Sequence, residues 1–371
     1  MAATFYVERS LMFCMFNIIS ILIQRDRPQT TKMNNKLTIS DIAAALNISK
    51  ATVSLVLNGK AKQAKISKKM EDRVLQYMEE VGYRPNLFAQ GLRTGKTKII
   101  GMLVEDISDP FFSAIARHAE ELAYEKGYKI VYCSTENNTK KTKEMLRMYR
   151  GQKIDGYIIA PPPGIEKEVK ELIKDGYPVV LFDRTLKGVN TDTVLVDNYE
   201  SAYQGTEHLI KNGYRSIGFI TLISEQVQMQ SRLQGYTDAV INAGLDTIVL
   251  NIQYHGEEGA SVRQIEELLL GERKLDALFF ATNYIADNGL EAIANLQLEI
   301  PKDLGIMVFD DNKMYRFFHP PITAIAQPVK EISEFSINLL LKRLADPDNE
   351  TTVKKIILSN RLMIRKSTQN G

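Results

Sequence analysis

Two unlike domains are predicted: a small all-α head near the N-terminus, and a large α/β body of two lobes built on parallel sheets. Three observations predict them. Short capped helical segments follow one another between Thr38 and Val81, and from Ile99 onward apolar strands alternate with amphipathic helices. The charge changes sign at the same place: residues 33–98 carry 12 Lys+Arg against 5 Asp+Glu, whereas 99–371 carry 31 against 38. A chain of 371 residues with 44% hydrophobic and 25% charged content is long enough to bury a core in each domain. The boundaries implied are an extension over 1–32, a head over 33–85, a hinge and linker over 86–98, and a body over 99–371.

The extension holds an apolar run, Leu11 to Ile23, too short for the ~20 residues that span a bilayer. It also lacks a small-residue cleavage site, being followed by Gln24-Arg25-Asp26-Arg27. The expectation is that Met33 is the true start, or that 1–32 is a disordered extension. No membrane association is expected. Cys14 and Cys133 form neither a disulfide framework nor a metal-ligand spacing, which suits a reducing cytoplasm. No cofactor is expected.

In the head, Thr38 caps a first helix to Leu46, with Asp41 three residues on and Ile42, Ala45 and Leu46 on one face. Asn47-Ile48 makes the turn, and Ser49 caps a second helix to about Asn58 with Val53, Val56 and Leu57 inward. A looser loop bearing Lys60, Lys62 and Lys65 follows. Ser67 then caps a third helix, in which Met70, Val74, Met78 and Val81 keep helical spacing. Two capped helices across so short a turn are the helix-turn-helix arrangement, whose second helix enters the major groove of DNA. Lys50, Ala51 and Ser54 fall where base edges would lie, while Ser49, Thr52 and Asn58 suit phosphate contacts. For this segment alone, a plain helical bundle with Ser49 as a simple cap is the alternative.

In the body, strands are predicted at Ile99–Val104, Lys129–Ser134, Gly156–Ala160 and Val179–Phe182. A second group falls at Ser216–Ile220, Ile248–Gln253, Ala277–Ala281 and Gly305–Phe309. Helices such as Phe112–Lys126, Tyr199–Asn212 and Ser231–Ala243 separate them, so each group forms one covered parallel sheet. Ligands of such folds bind beyond the carboxyl ends of the strands. Asp183, Tyr254 and Asp310 end or follow predicted strands, Phe111 and Phe112 follow one across a turn, and Arg232 begins a helix. A cation at a helix start opposes the dipole and calls for a partner.

LTISDIAAALNISKATVSLVLN and YRPNLFAQGLRTGKTKIIGMLV are similar to the head and hinge of the lactose-repressor (LacI-type) family. The resemblance continues in order through DPFF (109–112), FDR (182–184), VDN (196–198), RLQGY (232–236), VFDD (308–311) and PPITAIAQP (320–328), covering about 37 to 365. It implies a periplasmic-binding-protein-like body with a small effector between its lobes, and a double-stranded DNA operator as partner. It further implies that Leu92 wedges between base pairs of the minor groove, with Arg93 beside it. Arg232 would fork onto effector hydroxyls, Asp183 and Asp310 would accept from them, and Phe112 and Tyr254 would stack on the ring. Phe111 and Thr282 occupy further pocket positions. The chain departs from the family in its longer loop 59–66 and in Leu55, which stands where many members carry a base-reading arginine. The C-terminus has no leucine heptad.

The function expected is a DNA-binding transcriptional regulator, a homodimer on DNA, controlled by a sugar-like effector, with a purine or nucleoside as the other candidate. An enzyme is not expected. There is no GxGxxG after the first strand, no complete P-loop in Gly91–Thr97 and no nucleophile elbow, and His118 and His208 fall within helices. A periplasmic solute-binding protein is the alternative; it fits the body but not the basic head.

Overall fold

The computed structural model describes residues 37–83, 96–254, 256–346 and 352–369. The chain divides into two compact units, 1–86 and 87–371. In the first, α1 (Ile39–Leu46), α2 (Lys50–Leu57) and α3 (Lys68–Glu80) each start where the sequence places a cap: Thr38, Ser49 and Ser67 accept from Asp41 N, Thr52 N and Met70 N. Thr38 and Asp41 complete a reciprocal capping box. Asn47 ends α1 in the left-handed conformation, φ 50°, its N–H returning to the carbonyls of Ala43 and Ala44, and the chain bends by 113° into α2.

Ile42, Leu46, Val53, Val56, Val74 and Met78 form the head core. Ala43 is buried rather than the expected Ala45, because the stripe packed against α2 and α3 runs through 42, 43 and 46. The lysine-bearing loop is more ordered than its sequence implies. Ala61 plugs the core, and Ala64 N to Lys60 O and Ile66 N to Ala61 O close its turns at 3.0 and 2.9 Å. Lys60, Lys62 and Lys65 stay exposed.

The body begins with β1 (Ile99–Val104), α4 (Pro110–Glu125), β2 (Lys129–Ser134), α5 (Thr139–Gly151), β3 (Gly156–Ile159), α6 (Glu166–Lys174), β4 (Val179–Phe182) and β5 (Asp192–Val196). It continues through α7 (Asn198–Lys211), β6 (Ile217–Leu222), α8 (Val227–Asn242), β7 (Ile248–Ile252), α9 (Ala260–Leu270), β8 (Ala277–Phe280), α10 (Asn283–Asn295), β9 (Gly305–Phe309), α11 (Lys313–Phe317) and β10 (Thr323–Ala326). The chain then returns through α12 (Val329–Ala345), β11 (Lys355–Leu358) and β12 (Arg361–Met363). The strand orders are β11-β5-β4-β3-β1-β2 and β12-β10-β9-β8-β6-β7. All pairings are parallel except β10 with β12.

The lobes are therefore not consecutive pieces of chain. The chain crosses between them at 196–198, 326–329 and 358–361, so that α12 covers the first sheet and α7 the second. Both sheets carry the expected apolar strands, plus β5, β10, β11 and β12, each of three to five residues. The lobes repeat one another in detail. Asp155 before β3 accepts from the N–H groups of Thr97 and Lys98, and Asp276 before β8 accepts from those of Arg215 and Ser216. Gly235 lets α7 and α8 touch, since a Cβ there would lie 2.3 Å from the carbonyl oxygen of Tyr199.

Candidate functional site: the second head helix and the cleft between the lobes

The N-terminus of α2 is an exposed surface. Lys50 and Ala51 are exposed, Thr52 and Ser54 half-buried, and Ser49 spends its hydroxyl on the cap and on Thr52 Oγ1 at 2.9 Å. Asn58 caps the other end, its amide donating to Ser54 O at 2.6 Å. Asp41 is held below the usual carboxylate range by the backbone and hydroxyl of Thr38, with Lys50 adding to the effect. Leu92 and Arg93 lie outside the described residues.

The C-terminal ends of both sheets meet at a narrow polar pocket. Of the residues expected there, Phe111, Phe112, Asp183, Arg232, Thr282 and Asp310 all line it. Tyr254 does not; it lines a larger adjoining chamber, while Tyr284 lines both. Asp183 follows β4 and Asp310 follows β9, and both have positive φ, 65° and 78°. Each is pinned by its own N–H, to Val194 O and Ile325 O, at 3.0 Å. A non-glycine residue rarely adopts this conformation, and strain of this kind concentrates where function requires it. Here it turns two carboxylates, one per lobe, away from the strand line and into the cleft.

Arg232 is only 2% exposed. Its Nε donates to Asn198 Oδ1 at 2.8 Å, and one terminal nitrogen donates to Ala281 O at 2.7 Å and stands 3.5 Å from Asp310. The guanidinium lies 3.6 Å over the ring of Phe309. It does not begin its helix as expected. α8 starts at Val227, four residues before Ser231, because Gln226 enters in extended backbone. Arg232 thus sits in the second turn, where the dipole has faded, and its charge is matched by Asp310 and two neutral acceptors. Burial raises the Asp310 pKa, while Arg232 and Gln327 work against the rise.

The sequence reading assigned no role to several residues of the same pocket. Arg184, inside the FDR motif, donates to Asp183 at 2.7 Å, Glu105 at 2.8 Å and Asn137 at 3.0 Å. Burial opposes its charge, but Asp183 and Glu105 outweigh that and raise its pKa. Asn283 donates to Asp109 at 2.8 Å, and Gln226 to Asn137 at 3.0 Å; both bonds bridge the lobes. Asp109 also caps α4, and burial pushes its pKa up to about 6. Gln327 donates to Asp310 at 2.6 Å. The side-chain oxygens of Gln327 and Gln228 are buried without a hydrogen-bond partner. Asp109, Arg184 and Gln327 all stand in the quoted motifs, so adjacency to Phe111, Asp183 and the PPITAIAQP strand was the available signal. The side chains leave about 30 Å3 between them. Among the described residues no cluster suited to hold a metal ion is found, and no single helix is long and apolar enough to cross a membrane.

A head with an exposed capped second helix and a two-lobed body with a polar cleft define a class: DNA-binding regulators that respond to a small molecule. Residues 38–86 match the model of the bacterial regulatory proteins of the lacI family, and 206–368 match the periplasmic binding protein-like domain. Catabolite control protein A of Priestia megaterium is 30% identical over 90% of this chain and 99% of its own length. The HTH-type transcriptional repressor PurR of Histophilus somni is 30% identical over the same shares. A lacI-family regulator from Enterococcus faecium, solved with bound ribose, superposes with a TM-score of 0.65 at 26% identity, covering 72% of this chain and 98% of that one. The chain belongs to the lacI family of bacterial regulatory proteins: a DNA-binding transcriptional repressor, not an enzyme, whose periplasmic-binding-protein-like domain takes a small effector.

Proposed function

We propose that this repressor is a cytoplasmic homodimer that reads a near-palindromic operator and is controlled by a sugar. The observation that carries the effector class is the acceptor-rich pocket: Asp183 and Asp310 held in left-handed backbone, with the unpartnered oxygens of Gln228 and Gln327 beside them. Once the two lobes part to admit it, since the side chains leave only about 30 Å3 here, a sugar offers several hydroxyl donors to such acceptors and a flat apolar face to Phe111 and Phe112. Arg232 supplies a guanidinium donor to the ring and hydroxyl oxygens, while Arg184 orients the Asp183 and Glu105 carboxylates. The Enterococcus faecium relative with bound ribose supports the same class.

For DNA, Lys50, Ala51 and Ser54 read base edges while Ser49, Thr52 and Asn58 set register on the phosphates. Leu92 and Arg93 engage the minor groove. One short recognition helix reads too few bases for specificity alone, which supports a symmetric pair.

The effector reading is tested by thermal shift of the full chain with pentoses and hexoses on one side, purine bases and nucleosides on the other. A native-state ligand raises the melting temperature. Stabilisation by a sugar, lost in Asp310→Asn, is the result expected. A response to purines alone would overturn the sugar assignment.

A further inference from the structure

Beside the narrow pocket lies a chamber of about 540 Å3 that the sugar reading does not use. It opens on the same cleft and shares Glu105, Asp109, Leu222, Asn283 and Tyr284 with the inner pocket. Its size is that of an ordinary ligand site, commonly 300–1,000 Å3 in total. The ring of Tyr254, just beyond β7, meets that of Tyr284 edge to face at 5.9 Å and 72°. Leu222 and Ile252, at the ends of β6 and β7, add apolar surface. Acceptors surround this apolar wall: Asp106, Glu257, Glu258 and Asp287 line the chamber in addition to Glu105 and Asp109. Among the described lining residues there is no Lys or Arg.

Flat aromatic surface ringed by carboxylates suits a second hydroxylated ring. Of these carboxylates Glu105 is paired with Arg184, and the remaining excess of negative charge repels an anion. We infer that the effector is a glycoside of at least two rings, one in the inner pocket and the second, unphosphorylated, against Tyr254 in the outer chamber. This rests on the inner pocket being a sugar site. It accounts for Tyr254 standing outside the inner pocket, although the family pattern groups it with the other pocket residues.

The test is calorimetry on the full chain with glucose, galactose, xylose, cellobiose, maltose, lactose and xylobiose, and with cellobiose 6′-phosphate and maltose 6′-phosphate. At least one disaccharide is expected to bind about tenfold or more tightly than either of its component sugars. Its phosphorylated form should bind at least about tenfold more weakly, and Glu257→Gln with Glu258→Gln should recover part of that loss. Tyr254→Ala should remove most of the disaccharide advantage and leave monosaccharide affinity unchanged, while Tyr254→Trp, which keeps a flat face, retains the advantage. Monosaccharides binding as tightly as every disaccharide, or Tyr254→Ala weakening both sizes equally, would overturn the second-ring site while leaving the inner pocket intact. Binding of no sugar of either size would overturn the sugar reading and this inference with it.

Discussion

Arg232 and Asp109 show how single side chains set the chemistry of the cleft. Removing the Arg232 fork takes hydrogen bonds from Asn198 and Ala281 and leaves Asp310 buried beside no cation. Losing one partner of such a pair typically costs about 2–5 kcal/mol. Arg232→Ala is therefore expected to weaken effector binding about 30-fold or more by calorimetry. Operator affinity by fluorescence anisotropy should stay within about threefold, because the residue belongs to the body unit; retained ligand affinity and retained response would show that the effector site lies elsewhere. Asp109 predicts a pH dependence. Its folded pKa of about 6 lies above its ordinary 3.8, so the folded chain binds the extra proton. Its stabilising contribution is fully present below about 3.8 and is lost as pH rises through about 6. Asp109→Asn keeps the cap and removes the titration. Wild type should lose about 1–3 kcal/mol relative to this variant between pH 4 and 6.5, with the residual solvent contact of the carboxyl reducing the full effect. Parallel melting curves of the two proteins across that range would contradict the assignment.

At the scale of elements, α2 and the α7–α8 pair make separate claims. Ser49 accepts from Thr52 N, so Ser49→Ala should cost the head about 1 kcal/mol, read from its melting transition. Lys50→Ala should change operator preference as well as affinity, because it sits at the exposed start of α2. Lys62→Ala, in the ordered loop, should instead weaken all sequences alike and flatten the log–log salt slope by about one unit. Equal weakening of every sequence by both changes would remove Lys50 from the base edges. Gly235→Ala drives a Cβ into the backbone of Tyr199, so α7 and α8 must separate, at a cost of about 1–3 kcal/mol in chemical denaturation.

The whole molecule is a basic head and an acidic body on one chain, with two lobes crossed three times by that chain. The lobes are joined by the crossings at 196–198, 326–329 and 358–361, and Asn283–Asp109 and Gln226–Asn137 bond across the cleft between them. Effector that strengthens closure should alter operator affinity with a coupling of about 1–3 kcal/mol, measured as the ratio of operator Kd values with and without ligand. Light scattering should give a dimer at micromolar concentration. A monomer both free and with operator would rule out the symmetric reading of the half-sites.

How much of this was legible follows from the range of each interaction. The caps at Thr38, Ser49 and Ser67, the apolar strands and the charge asymmetry depend on neighbours within a few residues, so the sequence alone determined the two-domain class, the head helices and most strands. The motifs around Asp183, Arg232 and Asp310 pointed to the cleft through their place near strand ends and the family resemblance. The burial of Ala43 in place of Ala45 depended on how α2 and α3 pack on α1. The partners of Arg184 lie up to 79 residues away, and the Asn283–Asp109 bond spans 174. Discontinuous lobes, the start of α8 at Val227 and the division into an inner pocket and an outer chamber with Tyr254 likewise arise from contacts that no local pattern encodes. Tertiary structure decided these because burial and hydrogen-bond satisfaction are properties of what surrounds a side chain in space, and the chain supplies those surroundings only once both sheets are assembled.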